Sequence, residues 1–515
     1  MESVESTSRS PMVHWVLVAA LLISAFAWRT YRISDESLWH DEATSVLYLQ
    51  APTLADYFKT QTEIDPAIVP LYFVIEYYTS WATGHSVMAL RAVSLTFGML
   101  TLVVLYAFGR RLFGPTGGLL ALLFGAFSKT MLVQSQEIRM YGLTYLLALA
   151  AMYAFYRALT DKKPVWWVLN VLLNCALVFT HLLALSVLVA QGVAFLALRR
   201  HRILPIVWWS LAHLPGLIPL ALWVRSIDTG AIDRHLGWLS PPSIMHVLGC
   251  YLYSFPGTKF GLGDPVRYQL FAIPYLHLWG AAFIIACFVF IRRRKTIVTH
   301  LDENAAQTYD RPAAALLISW LIVPVVCLFI LSYLVRPCLS DRYLGYQSFP
   351  MFLMMAGCVV TLKTPFRKKL AVAFLLLMTV CNAFSFDRPL RINSAAGVQY
   401  LESRVAPEDT ILFTGKRCVP PFTYYSKVDP KRFIISMDYQ KEVIDAIETG
   451  NTVWLIVARV WSPTIRVSAK AIDELLKDRS YEIERKEFPG FAPLNIYRVK
   501  KPAPMVSLPA QPQLQ

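Results

Sequence analysis

Two short stretches of the sequence hold acids whose neighbours would suit a group-transfer reaction. The segment 37–42 reads SLWHDE and ends in the carboxylates Asp41 and Glu42. Farther along, Glu137 lies two residues before Arg139. A carboxylate can take a proton from an attacking hydroxyl, and an arginine can bind a phosphate through charge-assisted hydrogen bonds. These residue types predict a site that handles a hydroxyl and an anion, although a solvated loop could carry the same acids.

The elements around segment 37–42 would place it at a membrane surface. Residues 13–28 form an apolar run close to the length with which a helix, rising ~1.5 Å per residue, crosses ~30 Å of hydrocarbon. After the segment, Ala43, Val46 and Leu47 recur at helical spacing. This pattern predicts an amphipathic helix along the membrane interface, which would hold the carboxylates at a fixed height above the bilayer.

Composition and charge indicate a protein that crosses a membrane many times. The 515 residues are 56% apolar and only 16% charged, and the mean hydropathy is +0.46, which is far from a soluble globular chain. A formal charge of +15 would also suit a nucleic-acid-binding protein. Here, however, the basic residues cluster between apolar runs, as in cytoplasmic loops that fix membrane orientation. The clusters are Arg110-Arg111, Arg157 with Lys162-Lys163, Arg199–Arg202, Arg292–Lys295, and Lys363 with Arg367–Lys369.

The apolar runs predict about eleven transmembrane helices, with the N-terminus in the cytoplasm and the C-terminus outside. A shorter run at 68–82 contains Pro70 and Glu76, and counting it as a span would break the charge pattern. We interpret it as a re-entrant or interfacial helix on the outer face. The first span lacks a small-residue cleavage site and is expected to remain as an anchor. The predicted spans lie near 13–28, 88–108, 117–133, 142–158, 165–181, 182–198, 203–224, 271–291, 313–334, 342–362 and 369–386.

Further polar residues fall at the outer ends of the predicted spans. Arg336 and Arg342 follow the ninth span, where they could hold an anionic lipid headgroup. His181 lies at the tip of a hairpin, and we interpret it as a hydrogen-bonded cap. Residues 225–270 form an outer segment that is long for a membrane connection, and we expect it to bind an acceptor.

After the last span the composition changes to that of a small α/β domain. Helical and strand-like patterns alternate there, and neither a Gly-x-Gly-x-x-Gly motif nor a phosphate loop is present. We therefore predict three domains: a transmembrane domain over 1–386, an extracytoplasmic α/β domain over 387–500, and a disordered tail over 501–515. The predicted helices are 394–405, 439–447 and 469–476, and the predicted strands are 410–413, 433–436, 452–460, 481–486 and 494–499.

The order of these motifs resembles that of the polytopic glycosyltransferases of the GT-C class. Among them, the chain is most similar to protein-O-mannosyltransferases, lipid A aminoarabinose transferases and lipopolysaccharide-core galacturonosyltransferases. The fold class expected is thus a multi-spanning α-helical membrane protein with a C-terminal α/β domain. The motifs are Ser37-x-Trp39-x-Asp41-Glu42, Pro70-Leu71-Tyr72-Phe73, Leu90-Arg91-x-x-Ser94 with Gly98, Gly109–Gly114, Gln136–Tyr141 and Arg342-Tyr343.

The resemblance implies transfer of a sugar from a polyprenyl-phosphate donor to a hydroxyl on the outer face of the membrane. In that reaction Asp41 would be the general base, and Glu42 would support it. Glu137 would orient the acceptor or a divalent ion.

The resemblance further implies that the departing phosphate is bound by two arginines and two tyrosines. The residues expected to bind it are Arg139, Arg342, Tyr343 and Tyr72. Many relatives carry a histidine, and some a lysine, where this chain has Ile68, which leaves metal dependence open.

Two other classes of protein remain as alternatives. A transporter or flippase of a lipid-linked substrate would also span the membrane, but transporters tend to place ionisable residues near the middle of the bilayer. A structural protein of envelope assembly would explain the C-terminal domain but not the acidic hairpins. The lack of any Asn-x-Ser/Thr acceptor favours a bacterial inner membrane. The sugar, and whether the acceptor is a lipid, a polysaccharide or a protein, are left open.

Overall fold

The computed structural model describes most of the chain between Pro11 and Pro502. The described ranges are 11–65, 68–199, 203–226, 230, 239–256, 273–293, 303–384, 391–436, 438–449, 452–458, 469–477, 480–490 and 493–502. Much of the predicted acceptor segment 225–270, and all but two residues of the predicted tail 501–515, lie outside them. Contacts divide the chain into two compact units, described in turn. The first holds residues 1–34 and 48–387, and the second holds 35–47 and 388–515.

Helices make up the first unit. Their bounds, in chain order, are α1 Pro11–Thr30, α3 Leu54–Ile64, α4 Pro70–Ala82, α5 Val87–Phe127, α6 Lys129–Gln136, α7 Tyr141–Asp161, α8 Pro164–Val178, α9 Leu185–Arg199, α10 Ile203–Ala212, α11 Leu214–Arg225, α12 Ile244–Leu252, α13 Ile273–Arg293, α14 Glu303–Leu334, α15 Ser348–Val360 and α16 Pro365–Phe384. Helix α2, His40–Tyr48, has all but its last residue in the second unit.

Within the described part of the chain, six helices are long and apolar enough to cross a membrane, or seven if the bent pair α10 and α11 is one span. Two of the predicted spans correspond to the shorter apolar helices Pro164–Val178 and Gly345–Val360. Helix α5 covers two more, because its backbone breaks at Phe113 and at Gly114, whose φ is +74°. The prediction of a multi-spanning α-helical protein is confirmed.

The two arms of α5 fold back on each other through small residues. A Cβ on Gly109 would lie 2.8 Å from that of Ala121, and one on Gly118 would lie 3.0 Å from the Tyr106 carbonyl. Such distances leave room only for glycine, so the backbones approach as closely as membrane helix pairs with small residues do. The hairpin therefore depends on Gly109, which belongs to one of the motifs given above, and on Gly118, which belongs to none of them.

The second arm of α5 is shorter than the predicted span 117–133. It ends at Phe127, and Ser128 begins the separate short helix α6, accepting a hydrogen bond from the Met131 N–H at 3.3 Å. A serine that caps the next helix competes with continuation of the preceding one. The chain thus turns before residue 133 and brings the polar stretch after it into the interior of the unit.

The second unit contains a five-stranded sheet with helices on both faces. Its strands are β1 Thr410–Phe413, β2 Phe433–Ile435, β3 Val453–Ala458, β4 Glu482–Phe488 and β5 Leu494–Lys500. The spatial order is β2-β1-β3-β5-β4, with β2, β1 and β3 mutually parallel and β5 antiparallel to both of its neighbours. Its helices after residue 388 are α17 Ser394–Glu402, α18 Val419–Tyr425, α19 Tyr439–Glu448 and α20 Ala469–Leu476.

Alternation along the strands builds a core on each face of this sheet. Ile411 and Phe413 pack on one side with Trp454, whereas Leu412 packs on the other with Leu455. A period of two is what a sheet covered on both faces requires. The predicted α/β domain is confirmed element by element, except that α18 was missed, because its Pro420 and Pro421 suit the first turn of a helix but read as a loop.

Membrane sidedness can be tested on this unit, because Asp35 and Lys431 both belong to it and are both exposed. We expect cysteines at these two positions to react with a membrane-impermeant maleimide applied from outside, above the signal of the parent chain. A cysteine at the exposed Lys163, in a predicted cytoplasmic cluster, should react only after permeabilisation. Labelling of only one of the first two positions would contradict the division into units.

Candidate active site

A buried arginine fixes the end of α5 and the start of the polar stretch in the first unit. The guanidinium of Arg29, in α1, donates hydrogen bonds to the carbonyls of Ala126 at 2.8 Å and Gly125 at 3.0 Å, and to the Ser135 hydroxyl at 3.3 Å. Carbonyls at the C-terminus of a helix carry partial negative charge and lack intrahelical donors. Arg29 supplies those donors and joins α1, α5 and α6 at one point.

The loop that follows α6 is attached to the chain at the same place, next to Arg29. The Gln136 side-chain amide donates to the carbonyls of Arg29 at 2.8 Å and Tyr31 at 3.3 Å. Glu137, the next residue, ends α6 and is 2% exposed. The predicted site residues Glu137 and Arg139 are therefore carried on a loop anchored at its base.

Arg139 lies within an interior polar cluster. Its guanidinium is 3.3 Å from the Asp65 carboxylate and lies over the Phe73 ring, 5.7 Å from the centroid. Both partners of the ion pair are nearly buried. A buried guanidinium needs such partners because an uncompensated charge is costly to desolvate. Arg139 thus has a fixed position from which its planar fork can present donors to an anion.

Arg342 approaches the same region from the loop before α15. Its guanidinium stacks on the Tyr141 ring at 4.8 Å from the centroid. The rings of Tyr141 and Tyr343 stack at 6.4 Å, and His181 lies 5.8 Å from the first and 5.5 Å from the second. We call Tyr141, His181 and Tyr343 the aromatic cluster. The structure therefore places Tyr141 and His181 beside Arg342 and Tyr343, which are neighbours in the sequence.

The charges of both arginines act on the aromatic cluster. Burial and, after it, the charges of Arg139 and Arg342 together lower the pKa of His181 to about 4. The pKa of Asp341 is raised, chiefly by burial. At neutral pH the imidazole is therefore uncharged, and the positive charge at this place comes from the two arginines.

The interpretation of His181 as a hydrogen-bonded cap is wrong. His181 precedes a 3₁₀ turn, Leu182–Ala184, without a capping bond from its side chain. The residue is 5% exposed, and its buried Nδ1 has no hydrogen-bond partner among the described residues. A buried polar atom without a partner costs about 1–3 kcal/mol, so the arrangement calls for another explanation.

Tyr72 lies in the interior with its hydroxyl already engaged. That hydroxyl is 3.0 Å from the Ser94 hydroxyl. Burial and then the Glu76 charge raise its pKa well above the usual value for tyrosine. To bind a phosphate, as the resemblance implied, the Tyr72 hydroxyl would have to give up its contact with Ser94.

Other motif residues of the first unit support its packing. Arg91 donates a hydrogen bond to the Ile33 carbonyl, just after α1. A Cβ on Gly98 would lie 2.2 Å from the Ser135 hydroxyl, so glycine lets α5 contact α6 there. The spacing Leu90-Arg91-x-x-Ser94 with Gly98 thus marks one face of α5 that contacts the chain after α1, helix α4 and α6.

The segment 37–42 is held within the second unit. Glu42, fully buried, forms an ion pair with Arg391, which is 3% exposed, and accepts a hydrogen bond from the Trp39 N–H at 3.3 Å. Asp41, half-buried, lies with it in the first turn of α2. Negative charge is favourable at a helix N-terminus, so α2 supports both carboxylates.

Two further hydrogen bonds attach this segment to the C-terminal part of the chain. The Leu38 N–H donates to the Tyr425 hydroxyl at 2.9 Å, and the Ala395 N–H donates to the Ser37 hydroxyl at 3.2 Å. Sequence reasoning missed Arg391 and Tyr425. Because these partners are more than 345 positions away from the segment, no local pattern could have identified them.

In the parts of the chain that the structure describes, no group of three or more His, Cys, Asp or Glu side chains is arranged to hold a metal ion. The reaction proposed below therefore assigns no step to a metal.

Comparison with known proteins gives one sequence match and several structural ones. The profile of the family described as dolichyl-phosphate-mannose-protein mannosyltransferase matches residues 73–224, which confirms the predicted resemblance over that region. No curated protein sequence matches the chain.

Among solved structures, the chain is similar to ArnT from Cupriavidus metallidurans in the apo state, with 12% identity, a TM-score of 0.42, and coverage of 95% of this chain and 98% of that one. The same protein bound to undecaprenyl phosphate gives 12% identity and a TM-score of 0.40 at the same coverage. An oligosaccharyltransferase from Archaeoglobus fulgidus, in complex with Zn and sulfate, gives 10% identity, a TM-score of 0.48, and coverage of 85% and 67%.

The buried ion pair of the second unit predicts a matched set of stability effects. Replacing Arg391 by Met removes the cationic partner of the buried Glu42, so we expect the free energy of unfolding to fall by about 3–5 kcal/mol. Glu42→Gln added to Arg391→Met should recover at least half of that loss. The exposed pair of Arg404 with Glu484, 3.8 Å apart, is the control: Arg404→Met should cost less than about 1 kcal/mol. Thermal unfolding of the full chain measures the loss of stability in each variant. Equal losses for Arg391→Met and Arg404→Met would contradict the difference expected between a buried and an exposed ion pair.

Proposed function

We propose that this chain is a membrane glycosyltransferase that transfers a sugar from a polyprenyl-phosphate donor to a hydroxyl group on the outer face of a bacterial inner membrane. The observation that carries the proposal is the pair Arg139 and Arg342 at the aromatic cluster, with Arg139 inside the region matched by the mannosyltransferase family. That family's description names a sugar linked to a polyprenyl phosphate, dolichyl phosphate, as its donor. The sugar and the acceptor remain to be identified.

The arginines suit the charge that develops on the donor phosphate. A phosphodiester donor carries one negative charge, and the polyprenyl phosphate that departs from it carries about −1.5 to −2 at neutral pH. Two guanidinium groups match the higher charge of the departing group better than the lower charge of the donor. Such a difference stabilises the transition state more than the bound substrate. Tyr343, next to Arg342 in the same loop, is proposed to add a hydroxyl donor.

Asp41 is the proposed general base. As the acceptor oxygen forms its bond to the anomeric carbon, the bond from that carbon to the phosphate oxygen breaks, and its electron pair leaves with the polyprenyl phosphate. The acceptor proton passes to the Asp41 carboxylate. A single displacement of this kind inverts the anomeric configuration. No nucleotide is consumed, because the lipid phosphate is the leaving group.

Two other carboxylates have supporting roles in the proposal. Glu42 is the ion-pair partner of Arg391, so its effect on the reaction is to hold α2, and Asp41 with it, in place. Glu137 ends α6 on the anchored loop, where we propose that it orients the acceptor. In this proposal neither Glu42 nor Glu137 takes the proton of the acceptor hydroxyl.

A transporter remains the alternative, and the structure identifies the polar groups that such a function would use. Asn170, Asn174, Gln191 and His213 lie together between α8, α9 and the bent pair α10 and α11. They hydrogen bond to one another at 2.8–3.2 Å, and the His213 Nδ1 bonds to the Trp209 carbonyl at 2.7 Å. A network whose members satisfy one another in this way favours helix packing over a substrate path.

The proposed reaction is tested by incubating the purified full-length protein with a panel of polyprenyl-phosphate sugars and measuring release of polyprenyl phosphate. Release that depends on an added acceptor supports the glycosyltransferase. Movement of intact lipid-linked sugar across vesicles, without release, would establish the transporter instead.

For the phosphate site we expect Arg342→Ala to raise the donor KM or lower kcat by about 10–100-fold, because a charge-assisted hydrogen bond is lost. Stability should change little, since the side chain is only half-buried. Arg404→Ala, at an exposed position of the second unit, is the control and should keep parental kinetics. An Arg342→Ala protein with unchanged donor kinetics would remove Arg342 from the site.

For the base we expect Asp41→Asn to lower the transfer rate by about 10²–10⁴-fold while donor binding persists. Asparagine keeps the size of aspartate but cannot take the acceptor proton. Asp35→Asn, at an exposed position of the same unit, is the matched control and should lose little. If the two variants exchange these outcomes, the base has been assigned to the wrong acid.

A further inference from the structure

We infer that His181 is a ligand of the donor phosphate, contributing a neutral N–H from Nδ1 between the guanidinium groups of Arg139 and Arg342. The inference rests on the proposed function and adds to it a residue that no motif identified. Its starting point is the buried Nδ1, which has no hydrogen-bond partner among the described residues. Buried polar atoms are nearly always paired, so a bound group that accepts a hydrogen bond would complete this one.

The imidazole is fixed in orientation by its surroundings. The rings of Tyr141 and Tyr343 pack against it at 5.8 and 5.5 Å between centroids. The backbone is held on both sides, because the His181 N–H donates to the Leu177 carbonyl and the His181 carbonyl accepts from the Ala184 N–H, each at 3.0 Å. A ring that cannot swing toward another protein partner is preorganised for a ligand.

The turn that carries His181 is also attached to the start of α4. The Leu71 N–H donates to the Phe179 carbonyl at 2.9 Å, and Val69 packs against Val178 in a small apolar cluster. Helices α4 and α8 thus hold the turn from two sides. A precisely held donor loses little entropy when it binds its acceptor.

The neutral charge state of the His181 ring suits a phosphate whose negative charge is already balanced by Arg139 and Arg342. Burial and the two arginines keep the pKa of His181 at about 4, so near pH 7 the ring is neutral. A third positive charge would repel both arginines and exceed the charge of the phosphate. A neutral imidazole instead adds a directional N–H donor and leaves the total charge unchanged.

The test uses the full-length protein in lipid nanodiscs and two probes, decaprenyl phosphate and decaprenol. These differ only in the phosphate, so the ratio of their affinities isolates recognition of the headgroup. We expect the parent protein to prefer the phosphate, and His181→Phe to weaken phosphate binding by about 10–100-fold with little change for the alcohol. His277→Phe, at an exposed position of α13, is the control and should change neither affinity.

Two polar variants keep the test decisive even if the phenylalanine variant fails to fold. The amide nitrogen of Asn overlaps the position of Nδ1, whereas that of Gln lies near the far side of the ring. His181→Asn should therefore retain most of the preference for the phosphate, and His181→Gln should lose it. Equal, parental preference in both variants would overturn the inference.

The outcomes separate this inference from the proposed function. A parent protein that prefers the phosphate, together with a folded His181→Phe variant that keeps the full preference, overturns the role of His181 alone. A parent protein that binds the alcohol as tightly as the phosphate overturns the donor site itself, and the role of His181 with it.

Discussion

The interaction on which the first unit most depends is the contact of the buried Arg29 guanidinium with the last carbonyls of α5. A helix that ends inside a protein leaves acceptors that must be satisfied, and in an apolar interior a cation is the strongest donor available to them. Because the same guanidinium reaches Ser135, the end of α5 and the start of the site loop share one support. This contact fixes the position of each residue of the proposed phosphate site that lies on that loop.

Polar residues in this protein have two different tasks, which the sequence does not distinguish. Tyr72 and Ser94 hydrogen bond to each other, and Arg91 donates to the Ile33 carbonyl, so these residues hold parts of the first unit together. His181 has an unsatisfied nitrogen in a rigid aromatic setting. The physical difference is whether a buried group completes its hydrogen bonds within the protein. Membership of a sequence motif does not reveal this difference, because Tyr72, Ser94 and Arg91 belong to motifs and His181 does not.

Local pattern accounts for much of the fold and for part of the site. The strands and helices of the second unit follow from alternation and amphipathic spacing, and the break of α5 at Gly114 falls between the spans predicted at 88–108 and 117–133. The missing histidine at Ile68 was visible in the sequence, and so was His181, but nothing local linked them. In the structure the chain just after Ile68 contacts the turn that carries His181, because the Leu71 N–H donates to the Phe179 carbonyl and Val69 packs against Val178. Partners such as Glu42 and Arg391, which are 349 positions apart, arise only from tertiary folding.

That separation has a consequence for how the protein is made. The segment 35–47 leaves the ribosome soon after the first helix, yet it folds with residues that are synthesised last. At ~5–20 residues per second, translating the intervening 349 positions takes roughly 20–70 s. During that time Glu42 has no Arg391, and α2 lacks the ion pair that holds its first turn. The stretch bearing Asp41 therefore reaches its final structure only when the chain is complete, so a protein cut short before residue 391 would insert its helices but leave this stretch unassembled.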